Sequence, residues 1–361
     1  MTVLVVTGSS GGHIFPALSL LEILKARQGE IRTLLVLPKT GAKSNIIEGV
    51  KVKYISIRSI KLRLAWRNIV ALFCFIKGSF ESLFLLLEFK PDIVVGFGTL
   101  NCLPLVTLAW LFRIKSLIHE QNVIPGRANL LLAKICDRMA ISFEQTKDYL
   151  KPQRAKVVLT GNPLRSSLQR VSREEASRFF GFSGEKFTIL VAGGSQASHS
   201  INTGFLEAAA AIAAGRRPRV IHITGDEDYA FLDSAYRNLG IEAKLFTFLD
   251  QMQYAYSLAD IAVCRGGATT IAELIHFLLP AIIIPYPYAY RHQAANAAVL
   301  EEKGAARVIS DKALNSVGIK KELEDILDNP EKLRNMRLAF NSFSGAQADY
   351  LLMQEVLSLY G

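Results

Sequence analysis

Two stretches about 185 residues apart share one design. The apolar run Val3-Leu4-Val5-Val6 leads into Gly8-Ser9-Ser10-Gly11-Gly12-His13 and a helical pattern reaching about Lys25. The run Thr188–Ala192 leads into Gly193-Gly194-Ser195-Gln196 and a helical pattern over roughly Ser200–Ala214. Strand, glycine-rich turn and helix form the repeating unit of a parallel α/β sheet, because a helix must carry the chain back before the next parallel strand. Glycines let a ligand approach the backbone closely, and the N–H groups at the helix start favour an anion. His13 puts an ionisable group at the mouth of the first turn.

The alternation continues on both sides of the second turn. Strands are expected at Val3–Thr7, Thr33–Leu37, Val52–Ser56, Ile93–Val95, Ser116–Ile118, Arg138–Ile141 and Lys156–Leu159. After the restart at Thr188–Ala192 they recur at Arg219–Thr224, Ala243–Thr247, Ile261–Cys264, Ala281–Pro285 and Ala306–Ile309. The fold class is therefore α/β, with two Rossmann-like doubly wound parallel sheets in tandem. With 361 residues, each domain has room for a full core. The joint is expected within Thr160-Gly161-Asn162-Pro163-Leu164-Arg165, giving domains 1–161 and 162–345. A tail helix over about 346–361 is able to pack back on either domain and is assigned here to the first.

Charge is distributed unevenly. Residues 1–160 hold 22 Lys/Arg against 10 Asp/Glu, and the remainder 20 against 22. An anionic partner for the first half follows. Between Lys51 and Arg67 lie six basic residues and no acidic one, and Trp66 ends the run. The apolar segment to Leu87 is interrupted by Lys77 and Glu81, so an interfacial patch is favoured over a membrane span. Lys61, Arg63, Trp66, Arg67, Leu72, Phe73 and Phe75 are its candidates; a buried helix of the α/β domain is the competing reading. No nucleic-acid motif accompanies the patch. The first apolar run lacks the features of a signal peptide, so a cytosolic protein or one on the cytosolic membrane face is expected. Cys74, Cys102, Cys136 and Cys264 match no metal or redox spacing.

Four further motifs carry chemistry. His119-Glu120-Gln121-Asn122 follows a strand, where open α/β sheets bind ligands. Gly161-Asn162-Pro163-Leu164-Arg165 offers an arginine for a phosphate. Gly193-Gly194-Ser195-Gln196 repeats the anion-binding logic of the first turn with a serine hydroxyl added. The longest runs Cys264-Arg265-Gly266-Gly267-Ala268-Thr269-Thr270-Ile271-Ala272-Glu273, followed by Arg291-His292-Gln293-Ala294-Ala295-Asn296. Glu273 lies about one turn into a helix, where a carboxylate reaches both hydroxyls of a ribose.

In order and spacing these motifs resemble the MurG family of peptidoglycan glycosyltransferases across nearly the whole chain. The resemblance implies a GT-B architecture with the active site in the cleft between two domains. It implies inverting transfer of N-acetylglucosamine from UDP-N-acetylglucosamine to the 4-hydroxyl of the N-acetylmuramoyl unit of lipid I, giving lipid II. The second domain would hold the donor: Glu273 on the ribose, Leu249 against uracil, Ser195, Ala268, Thr269 and Thr270 around the diphosphate, and His292 and Gln293 on the sugar. Arg165 and Asn122 would complete that site, and Ser10, Gly11 and Gly12 would border it. The first domain would take the acceptor, its pyrophosphate on Ser10, Gly11 and Gly12, with His13, His119 and Asn129 beside it. His13 is the first candidate for the base and Glu120 the second. No cofactor is required, and a divalent cation would at most assist, since no Asp-x-Asp motif is present. The implied setting is the cytoplasmic face of the cell membrane, peripherally attached to an anionic surface, with other cell-wall synthesis proteins as further partners and no nucleic acid.

The chain departs from the family pattern at Ser9-Ser10, at Gly96-Phe97-Gly98-Thr99-Leu100-Asn101-Cys102, at Ala197 and at Tyr290-Arg291. The alternatives are another GT-B enzyme with a lipid acceptor such as diacylglycerol, and a non-catalytic nucleotide-sugar binder. A dinucleotide oxidoreductase fits neither glycine loop.

Overall fold

The computed structural model describes residues 1–27, 31–39, 50–57, 66–151, 154–194, 197–287, 291–311, 316–343 and 347–361, without the side chains of 66–69, 316 and 317. Lys61, Arg63, Ser195 and the side chains of Trp66 and Arg67 therefore lie outside what it describes. The chain divides into two compact units, Met1–Ser166 with Ala346–Gly361, and Ser167–Gly345.

Among the described residues the first unit holds seven strands: β1 (Thr2–Thr7), β2 (Arg32–Pro38), β3 (Val52–Ile55), β4 (Ile93–Phe97), β5 (Lys115–Glu120), β6 (Arg138–Ile141) and β7 (Lys156–Leu159). Between them run α1 (Gly11–Ala26), α2 (Trp66–Phe89), α3 (Cys102–Leu111) and α4 (Arg127–Leu132). All strand pairs are parallel, in the order β3-β2-β1-β4-β5-β6-β7. Val3 to Val6 are fully buried on both faces of the sheet, which is why β1 reads as a continuous apolar run and not an alternating one. The strand order reverses between β1 and β4, so the loops after these two strands open a crevice at their C-terminal ends.

The second unit repeats the plan with β8 (Thr188–Ala192), β9 (Arg219–Ile223), β10 (Ala243–Phe246), β11 (Ile261–Cys264), β12 (Ala281–Ile283) and β13 (Ala306–Val308). Its helices are α5 (Arg173–Phe180), α6 (His199–Ala210), α7 (Tyr229–Asn238), α8 (Met252–Leu258), α9 (Ala268–Phe277), α10 (His292–Glu301), α11 (Ser316–Asp328) and α12 (Pro330–Ala339). The parallel order is β10-β9-β8-β11-β12-β13, with the reversal between β8 and β11. The last helix, α13 (Ala348–Leu357), returns to the first unit. There Leu352, Met353 and Val356 join the core that α1 forms with the sheet, and Arg138 pairs with Glu355.

The boundary lies a few residues past the joint expected at Gly161/Asn162. The Ser19 hydroxyl donates to the Leu164 carbonyl at 2.7 Å, the Ser166 N–H to Glu22 at 3.3 Å, and the Arg165 guanidinium stacks 4.3 Å over the Phe15 ring. These contacts hold the segment on α1.

Candidate active site

In the first unit the site is built around His13. Ser10 and Gly12 are exposed at the start of α1, whose opening N–H groups have no preceding helical carbonyl to bond. His13 is half-buried, and its Nδ1 lies 3.0 Å from the Gln121 Oε1. The Gln121 Nε2 lies 3.1 Å from the His119 Nδ1, and the His119 Nε2 lies 3.0 Å from the Gly161 carbonyl. A carbonyl only accepts, so His119 must carry its proton on Nε2. Its Nδ1 then accepts from the Gln121 amide, whose oxygen in turn accepts from the His13 Nδ1–H. The chain fixes the His13 tautomer and puts the imidazole lone pair on Nε2. His119 is fully buried, and burial chiefly, with the neighbouring His13 adding to it, lowers its pKa to about 4. It is neutral at physiological pH, as the relay requires.

This differs from the expectation at three residues. His119 has no exposed surface with which to touch an acceptor, and acts on His13 through Gln121. Glu120 is buried with both oxygens engaged: Oε1 accepts from the Asn122 N–H at 2.9 Å and its side-chain amide at 3.3 Å, and Oε2 from Gly126 N–H and the Asn129 amide, each at 2.9 Å. That carboxylate folds the 120–129 loop. Asn129, also buried, donates in addition to the His119 carbonyl at 3.1 Å. Gln121 itself was not singled out. Its signal was the period of two, since a residue two past His119 at a strand end lies on the same side of the sheet. Gly98 closes the arrangement: it has φ +68°, and a Cβ there would sit 3.3 Å from His13 and 3.4 Å from the Gln121 oxygen.

In the second unit the starts of α6, α9 and α10 follow strands β8, β11 and β12 at the C-terminal edge of the sheet. Arg265, buried, ties their loops together. It donates to the Ile284 carbonyl at 3.0 Å, Asp311 at 2.5 Å, and the Ser198 and Ser200 hydroxyls at 2.7 and 3.1 Å. The start of α6 is pinned again from below. Asp228 accepts from His199 and Asn202, both at 2.7 Å; Asn202 continues to His222 at 3.0 Å, and His222 to Tyr236 at 2.9 Å. Burial lowers the His222 pKa to about 3, so this chain is also neutral at its centre.

The expected donor residues fall on this edge with distinct environments. Ala268, Thr269 and Thr270 form the first turn of α9. Glu273 is largely buried one turn on and accepts from the Tyr256 hydroxyl at 2.7 Å. The Gln293 side chain accepts from the Tyr286 N–H at 2.8 Å, beside the half-buried His292. A Cβ on Gly266 would lie 2.4 Å from the Gln293 carbonyl, so glycine is what lets α10 approach β11. Leu249 is buried, whereas the adjacent Phe248 is exposed in the loop after β10. Arg165 and Asn122 belong to the first unit.

Comparison with known proteins bears on what this edge and the His13 relay serve. Residues 3–141 match the glycosyltransferase family 28 N-terminal domain, and residues 188–351 the family's C-terminal domain. The UDP-N-acetylglucosamine--N-acetylmuramyl-(pentapeptide) pyrophosphoryl-undecaprenol N-acetylglucosamine transferase of Thermodesulfovibrio yellowstonii is 35% identical over 363 residues, covering 99% of both chains. The enzyme of the same name from Listeria monocytogenes is also 35% identical, again over 99% of each. The chain belongs to this family of N-acetylglucosamine transferases. The crystal structure of Acinetobacter baumannii MurG, 24% identical, superposes with a TM-score of 0.78 over 99% of each chain. A UDP-N-acetylglucosamine 2-epimerase superposes with a TM-score of 0.69 at 15% identity. The GT-B-type architecture is thus shared beyond the N-acetylglucosamine transferases, and the reaction must be argued from the residues.

Proposed function

We propose that the protein transfers N-acetylglucosamine from UDP-N-acetylglucosamine to the 4-hydroxyl of the N-acetylmuramoyl unit of an undecaprenyl-pyrophosphate-linked acceptor, lipid I, with inversion. The observation that carries the mechanism is the hydrogen-bonded chain Gly161–His119–Gln121–His13. The His13 Nε2 accepts the proton of the attacking hydroxyl while Gln121 holds Nδ1–H, so the imidazolium that forms keeps its orientation. The acceptor oxygen bonds to the sugar's anomeric carbon from the face opposite the diphosphate. The bond from that carbon to the diphosphate oxygen breaks, and UDP leaves with the electron pair. The helix starts of α6 and α9 stabilise the departing anion. Glu273 takes the ribose hydroxyls, and the exposed Phe248 offers its ring to the base. The Ser10-Gly11-Gly12 turn takes the acceptor's pyrophosphate.

The acceptor is a membrane lipid, and α2 supplies a surface for it. Leu72, Phe73, Ile76, Phe80, Phe84 and Leu87 are exposed along this 24-residue helix, while Ala71, Leu85 and Leu86 pack into the core. Phe75, expected in the patch, packs against the core instead. Val70–Phe89 is long and apolar enough to cross a membrane by composition alone, with mean hydropathy 1.9. Gly78 argues for a helix lying on the bilayer. A Cβ there would sit 2.7 Å from the Ser56 carbonyl, so α2 is pressed onto the sheet as part of its domain. On this reading the protein attaches peripherally to the cytoplasmic face of the membrane.

The test is transfer of labelled N-acetylglucosamine to a lipid I analogue, with diacylglycerol as the competing acceptor. Turnover on lipid I that His13→Ala lowers at least a hundredfold is expected. Preferential glycosylation of diacylglycerol refutes the acceptor assignment.

A further inference from the structure

Glu273 does not stand alone on α9. It lies four residues before Phe277, so the two share one face of the helix. Tyr256 of α8 lies across both. Its ring stacks on Phe277 with centroids 5.0 Å apart, and its hydroxyl donates to the Glu273 Oε2 at 2.7 Å. Tyr256 is 5% exposed and Glu273 9%, so the bond is shielded from water. On the strand side Glu273 is close enough to Cys264, the last residue of β11, for its charge to act on the thiol. Burial chiefly, with that charge adding to it, pushes the Cys264 thiol up to about 12, so it stays neutral beside the carboxylate. Glu273 thus sits at the C-terminal end of β11, beside the reversal of strand order where open α/β sheets take ligands.

A buried carboxylate is costly unless hydrogen bonds reach it. When ionised it only accepts, and it offers about four lone-pair sites over its two oxygens. The Tyr256 O–H uses one of them. A glutamate that grips a ligand also gives up rotamer freedom. Here that freedom is given up on folding, because the tyrosine ring packed on Phe277 fixes where its hydroxyl points. The same helix carries the chain on from the loop of Phe248 and Leu249: α8 starts at Met252, one turn before Tyr256. It therefore links the loop offered to the base with the group that holds the ribose carboxylate.

We propose that Tyr256 is a positioning residue for the donor's ribose. It holds the Glu273 carboxylate in the orientation that accepts from the 2′- and 3′-hydroxyls, and so sets a preference for a ribonucleoside diphosphate. The inference rests on the reading of Glu273 as the ribose ligand and adds the group that orients it. The effect falls on donor binding and not on the chemical step, because the ribose hydroxyls take no part in the bonds that form and break.

Calorimetry on the full-length protein with UDP and with 2′,3′-dideoxyuridine 5′-diphosphate, which lacks both hydroxyls, isolates this effect. The parent should bind UDP at least about tenfold more tightly than the dideoxy ligand. Tyr256→Phe removes the hydroxyl and keeps the ring on Phe277. It should weaken UDP about tenfold and leave the dideoxy ligand within about twofold. In the transfer assay the donor KM should rise by the same factor, with kcat within about twofold of the parent. Phe277→Leu loosens the ring without removing the hydroxyl and should give the same pattern more weakly. A residue that merely packs the site would weaken both ligands alike; that result, or an unchanged affinity for UDP, overturns the positioning role. Glu273→Ala tests the premise separately and should abolish the preference for UDP. A preference that survives Glu273→Ala overturns the ribose reading itself. A preference lost in Glu273→Ala and intact in Tyr256→Phe overturns the role of Tyr256 alone.

Discussion

Replacing Gln121 with leucine tests whether the buried relay does more than fill space. The side chain sits between two imidazoles, accepting from the His13 Nδ1 at 3.0 Å and donating to the His119 Nδ1 at 3.1 Å. Gln121→Leu removes both bonds at nearly constant volume. The buried His119 nitrogen loses that donor, and an unsatisfied buried acceptor costs about 1–3 kcal/mol, which sets the expected fall in stability. The effect on turnover has a separate origin. The Gln121 oxygen is the group that keeps the His13 proton on Nδ1, and its interaction strengthens when His13 becomes an imidazolium. A hydrogen bond to a charged group contributes about 1.5–3 kcal/mol, or roughly tenfold to more than hundredfold in rate. Gln121 belongs to the first unit and the proposed donor residues to the second, so donor affinity should be unchanged. Steady-state kinetics on a lipid I analogue, with UDP binding by calorimetry, separates the two. The expected result is kcat down ten- to hundredfold with donor Kd within twofold. A folded Gln121→Leu enzyme with kcat within twofold of the parent would refute the relay.

Three further outcomes follow from the geometry. Glu273→Ala should raise the Kd for UDP ten- to hundredfold, the loss of about 1.5–3 kcal/mol from charged hydrogen bonds to the ribose, and an unchanged calorimetric Kd would remove Glu273 from the donor site. Gly266→Ala should lower the melting temperature sharply, because its Cβ would meet the Gln293 carbonyl at 2.4 Å, whereas Gly267→Ala, with no atom nearer than 3.5 Å, should melt near the parent; equal effects would contradict the packing of α10 on β11. His119 and His222 have folded pKa values of about 4 and about 3, below the ordinary 6.5, so stability is full above pH 6.5 and is lost as the unfolded chain takes up protons below it. Unfolding free energies from urea titrations should fall between pH 6.5 and 4 by on the order of 1 kcal/mol per pH unit for each histidine, and a flat profile there would show that neither is buried neutral.

The strands were legible because parallel strands buried on both faces leave an unbroken apolar record. Arg138–Ile141, Thr188–Ala192 and Ile261–Cys264 have the bounds read from the sequence, as does the half-exposed edge strand Lys156–Leu159, and the other expected strands differ only at their ends. Hydrophobic periodicity says less about which surface a terminal helix covers. The place of α13 is set by Leu352, Met353 and Val356 meeting α1 and by Arg138 meeting Glu355, contacts separated by more than 200 residues along the chain. The division of the chain past Gly161 is likewise set by long-range bonds from Ser19 and Glu22.

The catalytic loops show the same split between residue type and residue role. The motif His119-Glu120-Gln121-Asn122 announced a polar site, and four chemically able side chains invited the two most reactive to be given the chemistry. The fold assigns them by direction. His119 points into the interior, where burial makes it neutral, and Glu120 is consumed by four N–H donors that shape the following loop. An uncharged amide, Gln121, is the member of the four that touches His13. An amide is suited to that position because it accepts on one side and donates on the other without carrying charge. A glutamate there would present a lone pair to the His119 Nδ1, which the Gly161 carbonyl already compels to be an acceptor. The tautomer of the proposed base is thus set by a backbone carbonyl more than 140 residues away, and no local pattern around His13 could have revealed it.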